Sequence, residues 1–565
     1  MCGIFTLLND EMDDNVIKNE FMKGQGRGPE FSKLDTSYIK MTLGFHRLAI
    51  NGLNEASNQP LVIDDIVLIC NGEIYNYKQL YNSMNIEPTT GSDCEVIIHL
   101  FLRYGMEQTL TMLDGVFAFI LFDNRIRPDM NNQVYVARDP FGVRPLYYLQ
   151  QIKPSQSLMY GFASEVKCLQ HFYNTHVDTS VLQPFRPGTY SIFNLSNKVS
   201  SIWQPIQENI TYFVPSFSHV WSMEEETNYA PFLHEIYGKI RHHLTNAVEK
   251  RCLTTERPIA CLLSGGLDSS LIAALVSNYY KKNDFDKQLE TYSIGLEGSE
   301  DLKYARVVAD FIGSKHKEVI VSEKEMFDAI PEVIAKIESY DTTSVRASIG
   351  NYLLGKYIAA HSDAKVIFNG DGSDELFGGY LYMKECPDDI EFDKETRRLL
   401  KDIHLFDVLR SDKSISSNGL EPRTPFLDKT FANYVLSIPA YFRNHKNIGN
   451  IEKFLLRFAF SKTLCGDSLL PDSVLWRKKE AFSDGVSSKG RSLYQILQYH
   501  IAATLCMEDA NIDTEKFYYK KIFDQEFPNC ASLVPYYWMP KYTNATDPSA
   551  RTLALYETHP FDKDF

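Results

Sequence analysis

Residues 258–280 read PIACLLSGGLDSSLIAALVSNYY. A short apolar run, a glycine turn and a helical pattern follow one another without a break. The two glycines, Gly265 and Gly266, let the backbone turn tightly and present N–H groups. The helix start behind them adds positive potential, so Ser264–Ser270 reads as an anion cradle. It has no lysine of the G-K-[ST] type and is therefore not a Walker A loop. The competing reading is a serine-rich turn. The surroundings favour the cradle: strand-like LETYSIGL (289–296), KEVIV (317–321) and KVIFNG (365–370) alternate with helical SLIAALVSNYY and DLKYARVVADFIG. Such alternation predicts a Rossmann-like, doubly wound parallel sheet, with ligands at the C-terminal ends of its strands.

The first two hundred residues have a different texture. DIVLIC (65–70), VFAFILFD (116–123), QVYVA (133–137), PLYYL (145–149) and LMYGFAS (158–164) are short β-like runs with short connections, which favours antiparallel pairing. A helix is expected over 92–105, capped by Ser92 or Asp93 with Glu95 in its first turn. Residues 206–228 lose this rhythm and read as a linker. Helical spacing resumes at PFLHEIYGKIRHHLTNAVEKRC (231–252), and the tail from about 540 to 565 looks irregular.

A chain of 565 residues needs at least two cores. It is 44% hydrophobic and 23% charged, with 58 basic and 73 acidic residues giving a net charge of −15. No long basic run is present, so nucleic acid is not an expected partner. No apolar run reaches the roughly 18 residues a membrane span requires. No basic-then-apolar leader precedes residue 20, and a cytoplasmic setting is expected. The ten cysteines include no C-x-x-C pair, which argues against a zinc site and a disulfide framework.

Cys2 stands apart by position, directly behind Met1 in MCGIF. Removal of Met1 would place its thiol beside a free α-amine with a pKa of roughly 7.7–8.0, nucleophile and base in one residue. Asn71-Gly72 in NGEIYN (71–76) offers an amide and a backbone N–H suited to an oxyanion hole; the same pair is also a common hairpin turn. Arg47 in GFHRLAI (44–50) is suited to a substrate carboxylate, and Glu73 and Asp93 to an ammonium group. In the second half, NGDGSDELFGGY (369–380) follows a strand and carries Asp371, Asp374 and Glu375 beside glycines, a set that suits Mg²⁺. Arg346, Arg423, Lys478 and Lys479 are cationic candidates for stabilising departing pyrophosphate. GQGRG (24–28) follows no strand and is not read as a dinucleotide site.

Taken together, MCGIF, GRGPE, HRLAI, NGEIYN, GSD, LDGVFAF, ARDPFGVRPLYY, SGGLDSS, TTSVRAS, GSDELFGGY, PRTPFLD, RKKEAFSDG and ATDPSARTL closely resemble the glutamine-dependent asparagine synthetases of the B type, nearly end to end. The resemblance implies a glutaminase domain over 2–205, an αββα sandwich of the N-terminal-nucleophile type; a linker over 206–228; and an ATP-dependent synthetase domain over 229–565. It implies Cys2 as nucleophile, Asn71 and Gly72 as oxyanion hole, and glutamine held by Arg47, Leu48, Ala49, Ile50, Asn51, Asn71, Gly72, Glu73 and Asp93. Ammonia would pass through an internal tunnel to β-aspartyl-AMP formed from aspartate and ATP. Leu262, Ser264, Gly265, Gly266, Asp268, Ser269, Ile294, Asn369 and Gly370 would bind ATP. Asp268 and Asp374 would hold Mg²⁺, and Arg346 and Lys479 would face phosphate, with Asp371 and Lys479 catalytic. A homodimer is a family expectation. Two departures stand out. Asp371 replaces the family's glutamate and withdraws its carboxylate by roughly 1 Å, a misplacement that can cost on the order of a hundredfold. Gly26-Arg27-Gly28-Pro29-Glu30 replaces His-Arg-Gly-Pro-Asp.

Overall fold

The computed structural model describes residues 2–125, 131–153, 158–196, 201–215, 229–283, 288–477, 479–488 and 490–557. Two six-stranded antiparallel sheets form the N-terminal half. The first runs Ser180–Pro184, Tyr147–Ile152, Leu158–Ala163, Gly3–Leu8, Met41–Arg47, Phe31–Tyr38 in spatial order. The second runs Ile202–Thr211, Thr189–Ser196, Gln133–Arg138, Gly115–Asp123, Ile66–Ile74, Leu61–Ile63.

Strand alternation stacks these sheets. Ile4 and Leu8 of one share a core with Val67, Ile69, Ile120 and Phe122 of the other. The intervening residues point outward. Leu68 and Cys70 pack under the helices Tyr77–Met84 and Val96–Met112. Phe5 and Leu7 pack under Asp14–Met22 and, from the second half of the chain, Ile330–Ile337. The result is a helix–sheet–sheet–helix stack.

The second half is built on a five-stranded parallel sheet, ordered Lys315–Ile320, Glu290–Gly295, Ile259–Leu262, Val366–Phe368, Glu421–Arg423. The chain order reverses between Ile259–Leu262 and Val366–Phe368. A crevice opens at such a switch point because the connections leave to opposite sides. The loops Ser264–Gly266 and Asn369–Gly372 leave from these two strands.

Three sequence expectations differ from the structure. Residues 206–211, expected in the linker, continue the strand Ile202–Thr211; residues 216–228 lie outside the described residues. The helix expected from residue 92 begins as a single tight turn, Asp93–Glu95, and continues as Val96–Met112. Neither Ser92 nor Asp93 caps it. Asp93 instead accepts from the Ile74 N–H at 2.7 Å, and Glu95 from the Thr89 and Thr90 N–H groups at 2.7 and 2.6 Å. These acids tie loops to the sheet. The strand Glu421–Arg423 was not anticipated: it has three residues, one of them Pro422.

Buried charge joins the two halves. Lys413, on the helix Asp407–Ser416, pairs with Glu338 and donates to the Tyr147 hydroxyl at 2.8 Å, all three buried. Glu338 also accepts from the Val166 and Lys167 N–H groups at 2.8 and 3.0 Å. Removing one partner strands the other charge. Lys413→Ala is expected to cost about 3–5 kcal/mol, seen as an earlier denaturant midpoint, and Lys413→Met less than Glu338→Lys.

Candidate active sites

Cys2 lies where the two antiparallel sheets meet. Its successor Gly3 pairs with His46, so Cys2 sits beside the start of the Arg47–Asn51 segment. The Cys2 Sγ is 3.7 Å from the Leu48 carbonyl, and the Cys2 N–H donates to Asn71 Oδ1 at 3.2 Å. Asn71 comes from the other sheet, opposite Ala118. Its Nδ2 is buried and has no hydrogen-bond partner among the described residues. A buried donor left open is costly unless a ligand uses it. Burial pushes the Cys2 thiol up. Gly72 admits no side chain: a Cβ there would lie 2.6 Å from the Val116 carbonyl oxygen.

Asn51, Glu73 and Asp93 converge. Asn51 Nδ2 donates to Glu73 at 2.8 Å, to Asp93 at 3.4 Å and to the Thr254 carbonyl at 3.2 Å. Burial lifts the Asp93 carboxyl to about 6. Burial, then the nearby Asp93 and Glu421 charges, lift Glu73 well above the usual carboxylate range, although Arg423 lies 3.3 Å away. An arriving ammonium group would relieve both. Arg47 departs from its expected use. Its terminal nitrogens already donate to the carbonyls of Asn51, Gly52 and Asn54 and to Asn58 Oδ1, so it shapes the loop rather than presenting an open fork. Leu48, Ala49 and Ile50 act through their backbone: the Ala49 N–H donates to Glu30 at 2.7 Å, and the Ile50 carbonyl accepts from Glu256 at 3.0 Å. The altered GRGPE loop therefore keeps structural contacts. Arg27 Nε donates to the Cys2 carbonyl at 3.0 Å, and Glu30 pairs with Arg257 at 2.8 Å. Sequence reasoning assigned neither contact.

The second site is a cavity of about 190 Å³ at the switch point of the parallel sheet. Leu262, Ser264, Gly266, Asp268, Ser269, Ile294, Asn369, Gly370, Asp371, Asp374 and Lys479 all line it. Gly265 does not; it makes the turn. Its φ is +72°, and a Cβ would meet the Ala305 nitrogen at 2.4 Å. The Gly265 carbonyl is held by Arg477 at 2.9 Å. Ser264 and Ser269 hydroxyls lie 3.0 Å apart and lace the loop to its helix, Leu267–Lys282.

Two acids and two lysines form the charged floor. Lys453 Nζ lies 2.6 Å from Asp268 and 2.7 Å from Asp374, and Lys479 Nζ lies 2.6 Å from Asp374. Burial works against the charged form of Asp374, yet the two lysines hold its carboxyl below the usual range. Lys453 carried no motif signal: it sits in NIEKFLLRF, with φ +59°, a strained value for a lysine and one that recurs at functional positions. Asp268 Oδ1 and Thr343 Oγ1 are buried on this cavity wall without partners among the described residues.

Arg346 corrects an expectation. It was read as facing phosphate, but its buried guanidinium is held by Glu515 at 2.8 and 2.6 Å and by Asp547 at 2.7 and 2.8 Å. It lines a smaller, largely apolar neighbouring cavity with Trp538 and Leu553. A guanidinium between two buried carboxylates satisfies both, and TTSVRAS alone gave no sign of partners 169 and 201 residues away. Arg423, at the end of the edge strand Glu421–Arg423, is held by Glu421 and lies against Glu73, and Lys478 lies outside the described residues.

Residues 1–227 match the glutamine amidotransferase domain family, and residues 239–389 and 384–552 match the asparagine synthase family, which sets the class: a two-domain amidotransferase. The glutamine-hydrolyzing asparagine synthetase of Gallus gallus is 41% identical over 579 residues, covering 99% of each chain. Those of Bos taurus and Homo sapiens are 40% and 39% identical over 587 and 588 residues, again covering 99% of each chain. The chain belongs to the glutamine-hydrolysing asparagine synthetase family.

The raised Asp93 carboxyl has a stability consequence. The folded chain holds this proton up to about pH 6, against 3.8 for the ordinary group. Stability therefore falls as pH rises from about 4, where the unfolded group ionises, to about 6, and is flat above that. Asp93→Asn is expected to gain on the native chain between about pH 4 and pH 7, by on the order of 2–3 kcal/mol. Parallel denaturation curves at the two pH values check this.

Proposed function

We propose that the protein makes asparagine, taking nitrogen from glutamine at Cys2 and adenylating aspartate with ATP in the parallel-sheet cavity. The observation that carries the second half is the lysine-free glycine loop facing two acids, Asp268 and Asp374, bridged by Lys453, with Lys479 also on Asp374. Such a floor suits cleavage to AMP and pyrophosphate, where both the attacking carboxylate and the leaving group are anionic. For the first half, the open Asn71 Nδ2 beside Cys2 is the support.

With Met1 removed, the Cys2 α-amine takes the thiol proton and the sulfur attacks the glutamine amide carbon. Asn71 Nδ2 and the Gly72 N–H receive the oxyanion, and ammonia leaves as the acyl-enzyme forms. Water then releases glutamate. Glu73, Asp93 and Asn51 bind the substrate ammonium. In the cavity, an oxygen of the aspartate β-carboxylate attacks the α-phosphorus and pyrophosphate departs. Ammonia, delivered through an internal tunnel, displaces AMP. Asp268 and Asp374 would hold Mg²⁺, for which the unpartnered Asp268 Oδ1 is a fitting donor; the ion would screen phosphate charge. Lys479 neutralises the departing pyrophosphate.

This reading takes the N-terminal stack as an N-terminal-nucleophile fold ending near 205–215, and the synthetase domain as beginning near 229. It also takes the protein as cytoplasmic and homodimeric; the free thiols among the described cysteines support a reducing compartment.

Incubation with Mg²⁺-ATP, aspartate and glutamine should yield asparagine, AMP and glutamate in equal amounts. ADP in place of AMP would overturn the adenylation mechanism. Cys2→Ala should lose at least 10³-fold in glutamine-dependent synthesis and keep ammonia-dependent synthesis within about threefold. Chelating Mg²⁺ should abolish synthesis from either nitrogen source while leaving glutamine hydrolysis.

A further inference from the structure

A short segment of the second half of the chain, residues 254–257, is hydrogen-bonded to residues 49–52 of the first. It lies between the helix Ala230–Leu253 and the strand Ile259–Leu262. The Pro258 carbonyl accepts from the Lys365 N–H at 3.1 Å, which fixes the segment to the parallel sheet. Arg257 Nε donates to the Ala49 carbonyl at 2.8 Å. Its Nη2 donates at 2.8 Å to Glu30, whose other oxygen accepts from the Ala49 N–H at 2.7 Å. The Glu256 N–H donates to the Ile50 carbonyl at 3.0 Å, and the Glu256 carboxylate accepts from the Gly52 N–H at 2.8 Å. The Thr254 carbonyl accepts from Asn51 Nδ2 at 3.2 Å and from Arg423 Nη2 at 2.8 Å.

Residues 49–52 are buried, so their backbone groups need partners. Arg47 takes the Asn51 and Gly52 carbonyls from within the first half. The Ala49 and Ile50 carbonyls and the Gly52 N–H go instead to Arg257 and Glu256. The backbone of this loop is therefore satisfied by both halves together. The Asn51 side chain shows what that achieves. Its Nδ2 faces three acceptors, Glu73, Asp93 and the Thr254 carbonyl. Turning the amide over would set its oxygen against three oxygens, so Oδ1 is held on the opposite side, as an acceptor for an ammonium group.

We propose that Glu256 and Arg257, with the Thr254 carbonyl, are positioning groups for glutamine. They hold residues 49–52 in the form that binds it, so the second half of the chain completes the substrate site of the first. The inference rests on the reading that glutamine binds beside Cys2 at Asn51, Glu73 and Asp93. Glu256 and Arg257 act through the loop and touch neither Cys2 nor the oxyanion donors. Their loss should therefore weaken glutamine binding and spare the chemistry.

The test uses the full-length protein and measures glutamine hydrolysis beside ammonia-dependent synthesis. The double variant Glu256→Ala, Arg257→Met removes two charge-assisted hydrogen bonds to the loop. It should raise the glutamine KM by about tenfold or more and keep the kcat of hydrolysis within about threefold. Ammonia-dependent synthesis, and its KM values for ATP and aspartate, should stay within about twofold. Glu256→Gln keeps an acceptor for the Gly52 N–H and should lie nearer the native KM than Glu256→Ala. An unchanged glutamine KM in the double variant overturns the inference. So does a parallel fall in ammonia-dependent synthesis, which would make these residues structural. If the double variant does not fold, Glu256→Ala, at an exposed side chain, decides by the same KM-against-kcat split. If the native chain hydrolyses glutamine and the variants bind it normally, only the positioning role falls. If the native chain hydrolyses no glutamine, the functional reading falls and this inference with it.

Discussion

The molecule depends on one seam of buried opposite charges. Arg27 meets Asp412 at 2.8 Å; Asp412 lies 3.4 Å from Arg144; Arg144 lies 3.6 Å from Glu421; Glu421 holds Arg423 at 2.9 Å; and Arg423 reaches Glu73 at 3.3 Å. Every member is almost fully buried. Burying so many ions is expensive, and alternation is what makes it tolerable, since each charge is flanked by its opposite. The seam begins at the residue that holds the Cys2 carbonyl and ends at a proposed substrate carboxylate. Arg423 extends it further: its own carbonyl accepts from the Asn369 N–H at 3.1 Å, on the loop that rims the nucleotide cavity. The two sites are thus joined by contacts that admit little slack.

The same electrostatic logic divides the two pockets. Around Glu73 and Asp93, burial outweighs the nearby cations and lifts both carboxyls above their ordinary range. At Asp374 the two lysines win and the acid stays ionised. The first arrangement awaits a cation. The second is already neutralised and suits a strongly anionic ligand that can compete for the lysines.

Local sequence carried much of this. The parallel sheet was legible from PIACLL and SGGLDSS because strand, turn and helix signals succeed each other within two dozen residues. Five of the twelve antiparallel strands among the described residues, Ile66–Ile74, Gly115–Asp123, Gln133–Arg138, Tyr147–Ile152 and Leu158–Ala163, were legible from their β-rich runs and short turns. Gly3–Leu8 gave no alternating pattern, because it is covered on both faces and every position is apolar or buried. Residues defined by partners far along the chain were not legible. Lys453 reaches Asp268 from 185 residues away, and Arg346 is claimed by Glu515 and Asp547. Motifs report which groups are available, and only the fold reports which are already spent. Arg47 and Arg346 are both spent on the protein itself.

Gly370 has a mechanical meaning beyond its place on the cavity rim. A Cβ there would lie 2.8 Å from Asp268 Cβ and 2.8 Å from the Ser269 nitrogen. The two loops at the sheet's switch point therefore touch backbone to helix start, with no side chain between them to act as a cushion. They behave as one bracket fastened to two adjacent strands. A ligand that shifts one loop must shift the other, so the cavity can only open or close by moving the whole bracket, strand ends included. Selectivity for a ligand's length is then a property of the sheet's spacing rather than of any single contact.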